Sequence, residues 1–373
     1  MIIIEFILKD IPNLKYFEWN KIFKLVSGES LQNFKLAYET YGVLNKEKSN
    51  AILIFHALSG SSHVYRDNSN MDGWWDEMVG PDKPFNIEKY FLICVNVLGG
   101  CYGSTGPSSY DQKNNKEYRL DFPMITIHDM VNAIKLLIDH IGIRKLFSIT
   151  GGSIGGMQAL DWVIHYPEMT RSVILMATAA YATTFNIAFN EVQRQSIFSD
   201  PNWNNGNYSK ERPPINGLRL ARQIGHITYL SEDSMKKKFG RNLQNNPKLL
   251  FQFTQEFEVE SYLHYKGTSF TERFDANSYL YITKAIDYFD IRKNQKLIPA
   301  FNHIKNTKFL ILSFSSDWLY PTRQSKEIVY ALKSNEIDVS FAEIDINYGH
   351  DSFLIDCLDL KEITFNFLNN IKI

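Results

Sequence analysis

The sequence predicts an α/β fold, with a mostly parallel central sheet, helices on both of its faces and a helical insertion late in the chain. Three observations along the 373 residues predict it. Short, near-continuous apolar runs recur, as strands covered on both faces require. An amphipathic helical stretch lies between two of these runs, which is the alternation of a doubly wound sheet. The alternation then lapses between about residues 181 and 300 and returns afterwards.

The elements follow in order. Residues 1–10 (MIIIEFILKD) are apolar, but they carry Glu5, have no basic leader and lack a small-residue cleavage site. They read as a short strand and not as a signal peptide. Residues 51–58 (AILIFHAL), 90–97 (YFLICVNV), 146–150 and 172–176 read as buried strands. In residues 128–141, Met130, Val131, Ile134, Leu137, Ile138 and Ile141 fall on one helical face, and Gly142 supplies a stop. From 181 to 300 the chain shows helical stretches, a polar loop at 201–209 (PNWNNGNYS) and a basic cluster at 235–241 (MKKKFGR), read as a solvated helix face. Residues 308–314 (KFLILSF) and 339–344 restore the strand pattern. The expected organisation is one core formed by residues 1–180 and 301–373, with residues 181–300 inserted as a helical cap or lid.

Composition narrows the function classes. Hydrophobic residues make up 44% and charged residues 22%, which fits a globular chain with a sizeable core. The 26 Phe and 20 Tyr are read mainly as core and pocket lining. A formal net charge of −1 gives no electrostatic footprint for nucleic acid or an anionic membrane. Cys94, Cys101 and Cys357 are odd in number and form no C-x-x-C pair, so reduced thiols in a reducing compartment are expected. No uncharged apolar run approaches a membrane span. These readings place the chain in the cytoplasm.

The stretch at 149–168, ITGGSIGGMQALDWVIHYPE, carries the chemistry. Its glycines do not fit the G-x-G-x-x-G spacing of a dinucleotide loop, and no Lys follows as a phosphate loop of the Walker type requires. Gly151, Ser153 and Gly155 instead fit G-x-S-x-G between an apolar strand and a helix, the setting of a nucleophile elbow. The glycines relieve crowding in a tight turn, so that the hydroxyl projects beyond the sheet edge. A serine needs a base, and the base needs an orienting carboxylate. Downstream, Asp317 directly follows the run at 308–314, and His350 lies in a Gly-His turn after 339–344. The order Ser, Asp, His, with each residue at a strand exit, is that of α/β-hydrolases. Read as structure only, Asp317 would be a helix cap ahead of Pro321 and His350 a loop residue. The loop beginning at His56 lies where that fold places its second oxyanion donor, which makes the backbone N–H groups of Leu58 and Ile154 the candidate pair. The other histidines read as surface or packing residues, and no pair has metal-ligand spacing beside an open carboxylate, so no metal site is expected.

Seven segments together resemble the homoserine O-acetyltransferase family: HALSGSSHV (56–64), GWWDEMVGPDKPF (73–85), NVLGGCYGSTGPSS (96–109), FPMITIHDMV (122–131), GGSIGGMQALDW (151–162), LARQIGHITYLS (220–231) and YGHDSF (348–353). The likeness runs from about residue 36 to 353, and the blocks at 99–109 and 221–231 are more specific than the elbow. It implies an α/β-hydrolase fold with a helical cap and a homodimer formed through that cap. It also implies acetyl transfer from acetyl-CoA, as co-substrate, to the side-chain hydroxyl of L-homoserine on the route to methionine, with no metal or other cofactor. By resemblance the nucleophile is Ser153, the acid Asp317 and the base His350, while Arg222 and Asp351 bind the amino-acid substrate. Ile154 departs from the Met common in the family, a change that leaves its backbone N–H in place. The first 35 or so residues match poorly and carry no assigned function, and no CoA-binding residue is assigned. Homoserine is a zwitterion, so a cation and an anion beside the base suit it. A succinyl donor, a serine acceptor, or a hydrolase using the same three residues remain the alternatives.

Overall fold

The computed structural model describes residues 13–66, 71–244 and 246–372. The expected strand at 1–10 lies outside these residues. Eight strands form the central sheet: β1 (Lys15–Trp19), β2 (Phe34–Tyr41), β3 (Ala51–Phe55), β4 (Phe91–Val95), β5 (Ser148–Gly152), β6 (Ser172–Met176), β7 (Lys308–Phe314) and β8 (Val339–Ile344). Their spatial order is β1-β2-β4-β3-β5-β6-β7-β8. β2 pairs antiparallel with both β1 and β4, and every other neighbour is parallel.

Side-chain alternation explains why the central strands look uniformly apolar. Ala51, Leu53 and Phe55 enter one core, whereas Ile52 and Ile54 enter the other across the sheet. β7 divides likewise, with Phe309 and Ile311 on one face and Leu310, Leu312 and Phe314 on the opposite one. The first core is covered by α1 (Ile127–Ile141), α2 (Ile154–His165) and α8 (Thr322–Lys333), the second by α9 (Leu358–Asn369). α1 starts in a capping box of Thr126 and Asp129 and stops at Gly142, whose φ of 78° is left-handed.

The strands expected at 172–176, 308–314 and 339–344 have those bounds, and the helix expected at 128–141 begins one residue earlier. Three strands differ at their ends. The run from 51 stops at Phe55, where the chain turns away towards the site, and the run from 90 narrows to Phe91–Val95. The run from 146 shifts to Ser148–Gly152, because pairing continues through Leu175↔Gly151 and Met176↔Gly152 while Leu146 makes only an isolated bridge. β1 and β2 have no counterpart among the expected strands. They form the antiparallel edge, where mixed exposed and buried positions replace a continuous apolar run.

Between β6 and β7, the described residues form α3 (Thr184–Phe198), α4 (Ile215–Tyr229), α5 (Glu232–Lys238), α6 (Glu258–Thr271) and α7 (Ala276–Asp287). Lys236, Lys237 and Lys238 of the basic cluster are exposed on α5, as expected. No helix among the described residues is long and apolar enough to cross a membrane.

A buried ion pair fastens the first of these helices to the last: Arg194 Nη2 lies 2.6 Å from Asp287 Oδ2, with both side chains only 5% exposed. Removing one partner strands a charge in a place that water does not reach. Arg194→Ala is therefore expected to lower unfolding free energy by about 3–5 kcal/mol, measured by urea denaturation. A loss within about 0.5 kcal/mol, as for an exposed pair, would contradict this account of the helices' attachment.

Candidate active site

Ser153 stands between β5 and α2 with φ 57° and ψ −126°, a backbone region that a residue with a side chain rarely adopts. Its surroundings hold it there. The Ser153 amide donates to Met176 O at 3.1 Å, and its carbonyl accepts from Thr178 Oγ1 at 2.7 Å and from the Met157 amide at 3.2 Å. The turn also requires its flanking glycines. A Cβ on Gly155 would lie 2.2 Å from Phe55 O, and one on Gly151 would lie 2.3 Å from the Gly155 carbonyl carbon. The elbow is thus a backbone-on-backbone contact of α2 with β3. The N-terminus of α2 opens at Ile154, and among the described residues the Ile154 and Leu58 amides donate to no protein acceptor. Such amides at a helix N-terminus favour an anion.

Asp317 leaves the end of β7 and is buried at 3% exposure. Its Oδ1 accepts the Leu319 and Tyr320 amides at 3.0 and 2.8 Å, which leaves Oδ2 to accept from His350 Nδ1 at 2.8 Å. This bond fixes the tautomer that presents Nε2 as the basic nitrogen. Burial opposes a charge on His350, but the charge and hydrogen bond of Asp317, with the charge of Asp351, outweigh it and hold the imidazole above its ordinary value. The turn that carries His350 is pinned from two sides. The Gly349 amide donates to Ser316 Oγ at 2.9 Å, and at φ 73° a Cβ on Gly349 would meet Ser231 N at 2.5 Å. Ser231 caps α5, so the insertion presses directly on the base.

Tyr320 lies beside this pair. Its ring is 5.0 Å from the His350 ring, and the Ser153 side chain acts on its phenol. Burial, then the charge of Asp317, pushes its phenol up, so it stays protonated. The sequence reading missed Tyr320, although it stands three residues after Asp317 in the same strand exit.

Arg222 on α4 and Asp351 beside His350 are both drawn into the site. Arg222 Nη1 donates to Ser59 Oγ at 3.3 Å, and its guanidinium lies over Phe270 at 4.7 Å and Tyr229 at 5.4 Å. Its charge acts on Asp351, yet the two make no ion-pair contact within 4.0 Å among the described residues. Burial raises the Asp351 carboxyl, and the charges of His350 and Arg222 pull it down only in part. Arg273, also missed, donates to Ser59 O at 3.0 Å and Tyr102 Oη at 2.7 Å. Burial first, then Arg222, Lys266, Arg273 and Lys238, drives His226 down to about 2, which keeps it neutral amid four cations.

The loop carrying Leu58 is braced from below by a buried carboxylate. Glu39 on β2 accepts from Tyr41 Oη at 2.8 Å, Ser62 Oγ at 2.7 Å and His63 Nδ1 at 2.9 Å. His56 Nε2 accepts the Val97 amide at 3.3 Å. Elsewhere one expectation needs correcting. Spacing indicated no histidine pair beside a carboxylate, but the packing of α1 on α2 brings His128 and His165 to the same oxygen of Asp161. His128 and Asp161 stand thirty-three positions apart in the chain, which hides that meeting from any local motif.

A family model for the alpha/beta hydrolase fold matches residues 50–356. A homoserine O-acetyltransferase of Methanohalobium evestigatum is 54% identical over 366 residues, which is 97% of this chain and 75% of that protein. The crystal structure of homoserine O-acetyltransferase from Bacillus anthracis superposes with a TM-score of 0.88 at 28% identity, covering 97% of this chain and 100% of the other. An esterase crystal structure superposes with a TM-score of 0.87 at 30% identity, covering 95% and 99%.

The His350–Asp317 pair yields a prediction for titration. In Asp317→Asn the attractive charge is lost and burial is left to dominate, so the His350 pKa is expected to fall below 6.5. NMR titration of the imidazole protons measures it, and a value that stays at or above 6.5 would show that Asp317 does not set the charge of the base.

Proposed function

Because the chain belongs to the homoserine O-acetyltransferase family and to the α/β-hydrolase fold, we propose that it transfers an acetyl group from acetyl-CoA to the side-chain hydroxyl of L-homoserine, a step towards methionine. The observation that carries the acceptor is the placement of Arg222 and Asp351. A cation and an anion, both drawn into the site and not paired with each other, complement a carboxylate and an ammonium on one small molecule. Apolar alcohols would leave both charges uncompensated, at a cost of several kcal/mol.

The reaction runs in two halves. His350 Nε2 takes the Ser153 proton as Oγ attacks the thioester carbonyl, and the oxyanion sits against the Leu58 and Ile154 amides. The C–S bond breaks, the CoA sulfur leaves with the proton from His350, and an acetyl-serine ester remains. Homoserine then enters, its carboxylate on Arg222 and its ammonium on Asp351. His350 removes the hydroxyl proton, the oxygen attacks the ester, and Ser153 recovers its proton as the product leaves. Asp317 holds the imidazole and stabilises its charged form. Serine, imidazole, carboxylate and amides supply nucleophile, base and oxyanion site, so the scheme calls on no metal or other cofactor. Arg222, Arg273, Lys238 and Lys266 surround His226 with positive charge, which suits a phosphate-bearing donor.

Exposed Phe185, Val192 and Phe198 on α3, with Ile215, Leu220 and Ile227 on α4, support a homodimer formed through these helices. The small-molecule metabolism and the free thiols fit a cytoplasmic enzyme.

The esterase likeness makes hydrolysis the second reading, because an acyl-serine can be resolved by water as well as by homoserine. The deciding assay follows free-thiol release from acetyl-CoA, with succinyl-CoA as a comparison donor, while homoserine, serine or no amino acid is offered. Release should depend on homoserine with acetyl-CoA, and equal release without an amino acid would sink the transferase reading. Ser153→Ala is expected to lower kcat by about 10⁴-fold or more, and undiminished turnover would mean that another group is acylated. Arg222→Ala should raise the homoserine KM by at least about tenfold, the scale of a lost charge-assisted contact, while a stopped-flow burst of CoA release persists. A lost burst would assign Arg222 to the donor half instead. In the parent enzyme, turnover should fall as pH drops through a midpoint above 6.5, because His350 must be neutral to act as base and its affinity for the proton is raised.

A further inference from the structure

We propose that His128, Asp161 and His165 form a binding site for a borderline divalent transition-metal ion, with Zn²⁺ the first candidate, that staples the start of α1 to the end of α2. The three donor atoms lie within 4.8 Å of one another. His128 Nδ1 is 2.8 Å and His165 Nδ1 3.3 Å from the same atom, Asp161 Oδ1, and the two imidazole rings are 4.0 Å apart at 43°. Zinc takes nitrogen and oxygen at about 2.0–2.1 Å in a tetrahedron, which sets neighbouring donors about 3.3–3.4 Å apart. The His165 contact already has that separation, and the His128 contact needs to open by about 0.5 Å.

The cluster is more than an ordinary ion pair. One imidazolium suffices for one carboxylate oxygen, and a second beside it repels the first. A single dication on two neutral imidazoles satisfies all three groups, and it displaces the proton that each nitrogen would otherwise share with Asp161. The donor set selects the ion: two imidazoles with one carboxylate suit Zn²⁺, Co²⁺, Ni²⁺ or Cu²⁺, whereas Mg²⁺ and Ca²⁺ prefer oxygen. Asp161 is buried, His128 is 28% exposed and His165 43%, so a fourth position opens to water. His165 Nδ1 also donates to Asp161 O at 2.9 Å, a hydrogen bond that ligation would have to displace. Lys293 is the adverse neighbouring charge, acting on His165.

The site lies at the far end of the helix that begins after Ser153, about 16 Å along the axis at 1.5 Å per residue. Its effect is therefore on the packing of α2 and not on the acyl transfer. The test uses tag-free, chelator-stripped full-length protein, titrated with Zn²⁺ by calorimetry, with Co²⁺ absorption as a report of ligand geometry and thermal unfolding with and without Zn²⁺. One ion per chain is expected, with a rise in Tm. His165→Ala and His128→Ala should each weaken binding by at least about tenfold and abolish that rise. Because His165 is partly exposed, at 43%, its variant should fold normally, which circular dichroism checks. Failure of the parent protein to bind Zn²⁺ at about 1 mM, the weak end of useful affinity, would overturn the proposal. So would equal binding by the double variant H128A/H165A, which would place the ion elsewhere, for example at His350.

Discussion

The contact on which the site depends is the approach of the α2 backbone to the end of β3, where nothing larger than hydrogen fits between Gly155 and Phe55 O. That approach fixes where the chain reverses after β5, and the reversal forces Ser153 into its positive-φ conformation. A strained residue of this kind costs about 1–3 kcal/mol and persists only when its surroundings over-determine it. Here the Met176 carbonyl, the Thr178 hydroxyl and the first turn of α2 do so. The same contact sets the first turn of α2 against Phe55 and His56, at the start of the loop that carries Leu58.

Around that fixed point the site accumulates charge under burial. Asp317 and His350 are buried, Arg222 and Asp351 are half-buried, and His226 is neutral because burial and four cations leave it no alternative. Each of these groups costs desolvation energy, which is offset inside the Asp317–His350 pair but less so at Asp351 and Arg222. Two imperfectly compensated charges of opposite sign are an unstable arrangement for the empty protein and a favourable one for a zwitterion. The helices between β6 and β7 meet this region directly: Ser231 packs on Gly349, and Arg222 on α4 donates to Ser59 Oγ.

The likeness to both an acetyltransferase and an esterase has a physical reading. In the proposed reaction, sheet, elbow and the Asp317–His350 pair make the acyl-serine irrespective of what later removes the acyl group. The outcome is set by whether the second nucleophile is held in place while water is kept out. In the reaction proposed above, Arg222 and Asp351 hold that nucleophile, while Glu39 ties down the opposing loop through Ser62 Oγ and His63 Nδ1.

Sequence alone determined the sheet strands with continuous apolar character, a helix at 128–141, the elbow and the order of Ser153, Asp317 and His350. These signals are local: periodicity, glycine placement and position at a strand exit can be read within a dozen residues. It was less informative where strands are half-exposed, as in β1 and β2, and where pairing with a neighbour extends a strand through glycines, as in β5. Only the tertiary structure decided that Tyr320 lies beside His350, that Arg273 joins Ser59 to Tyr102, and that His128 and His165 share Asp161. Those meetings join side chains from elements far apart in the chain, and their distances are set by how helices pack on a sheet, a property that no single segment encodes.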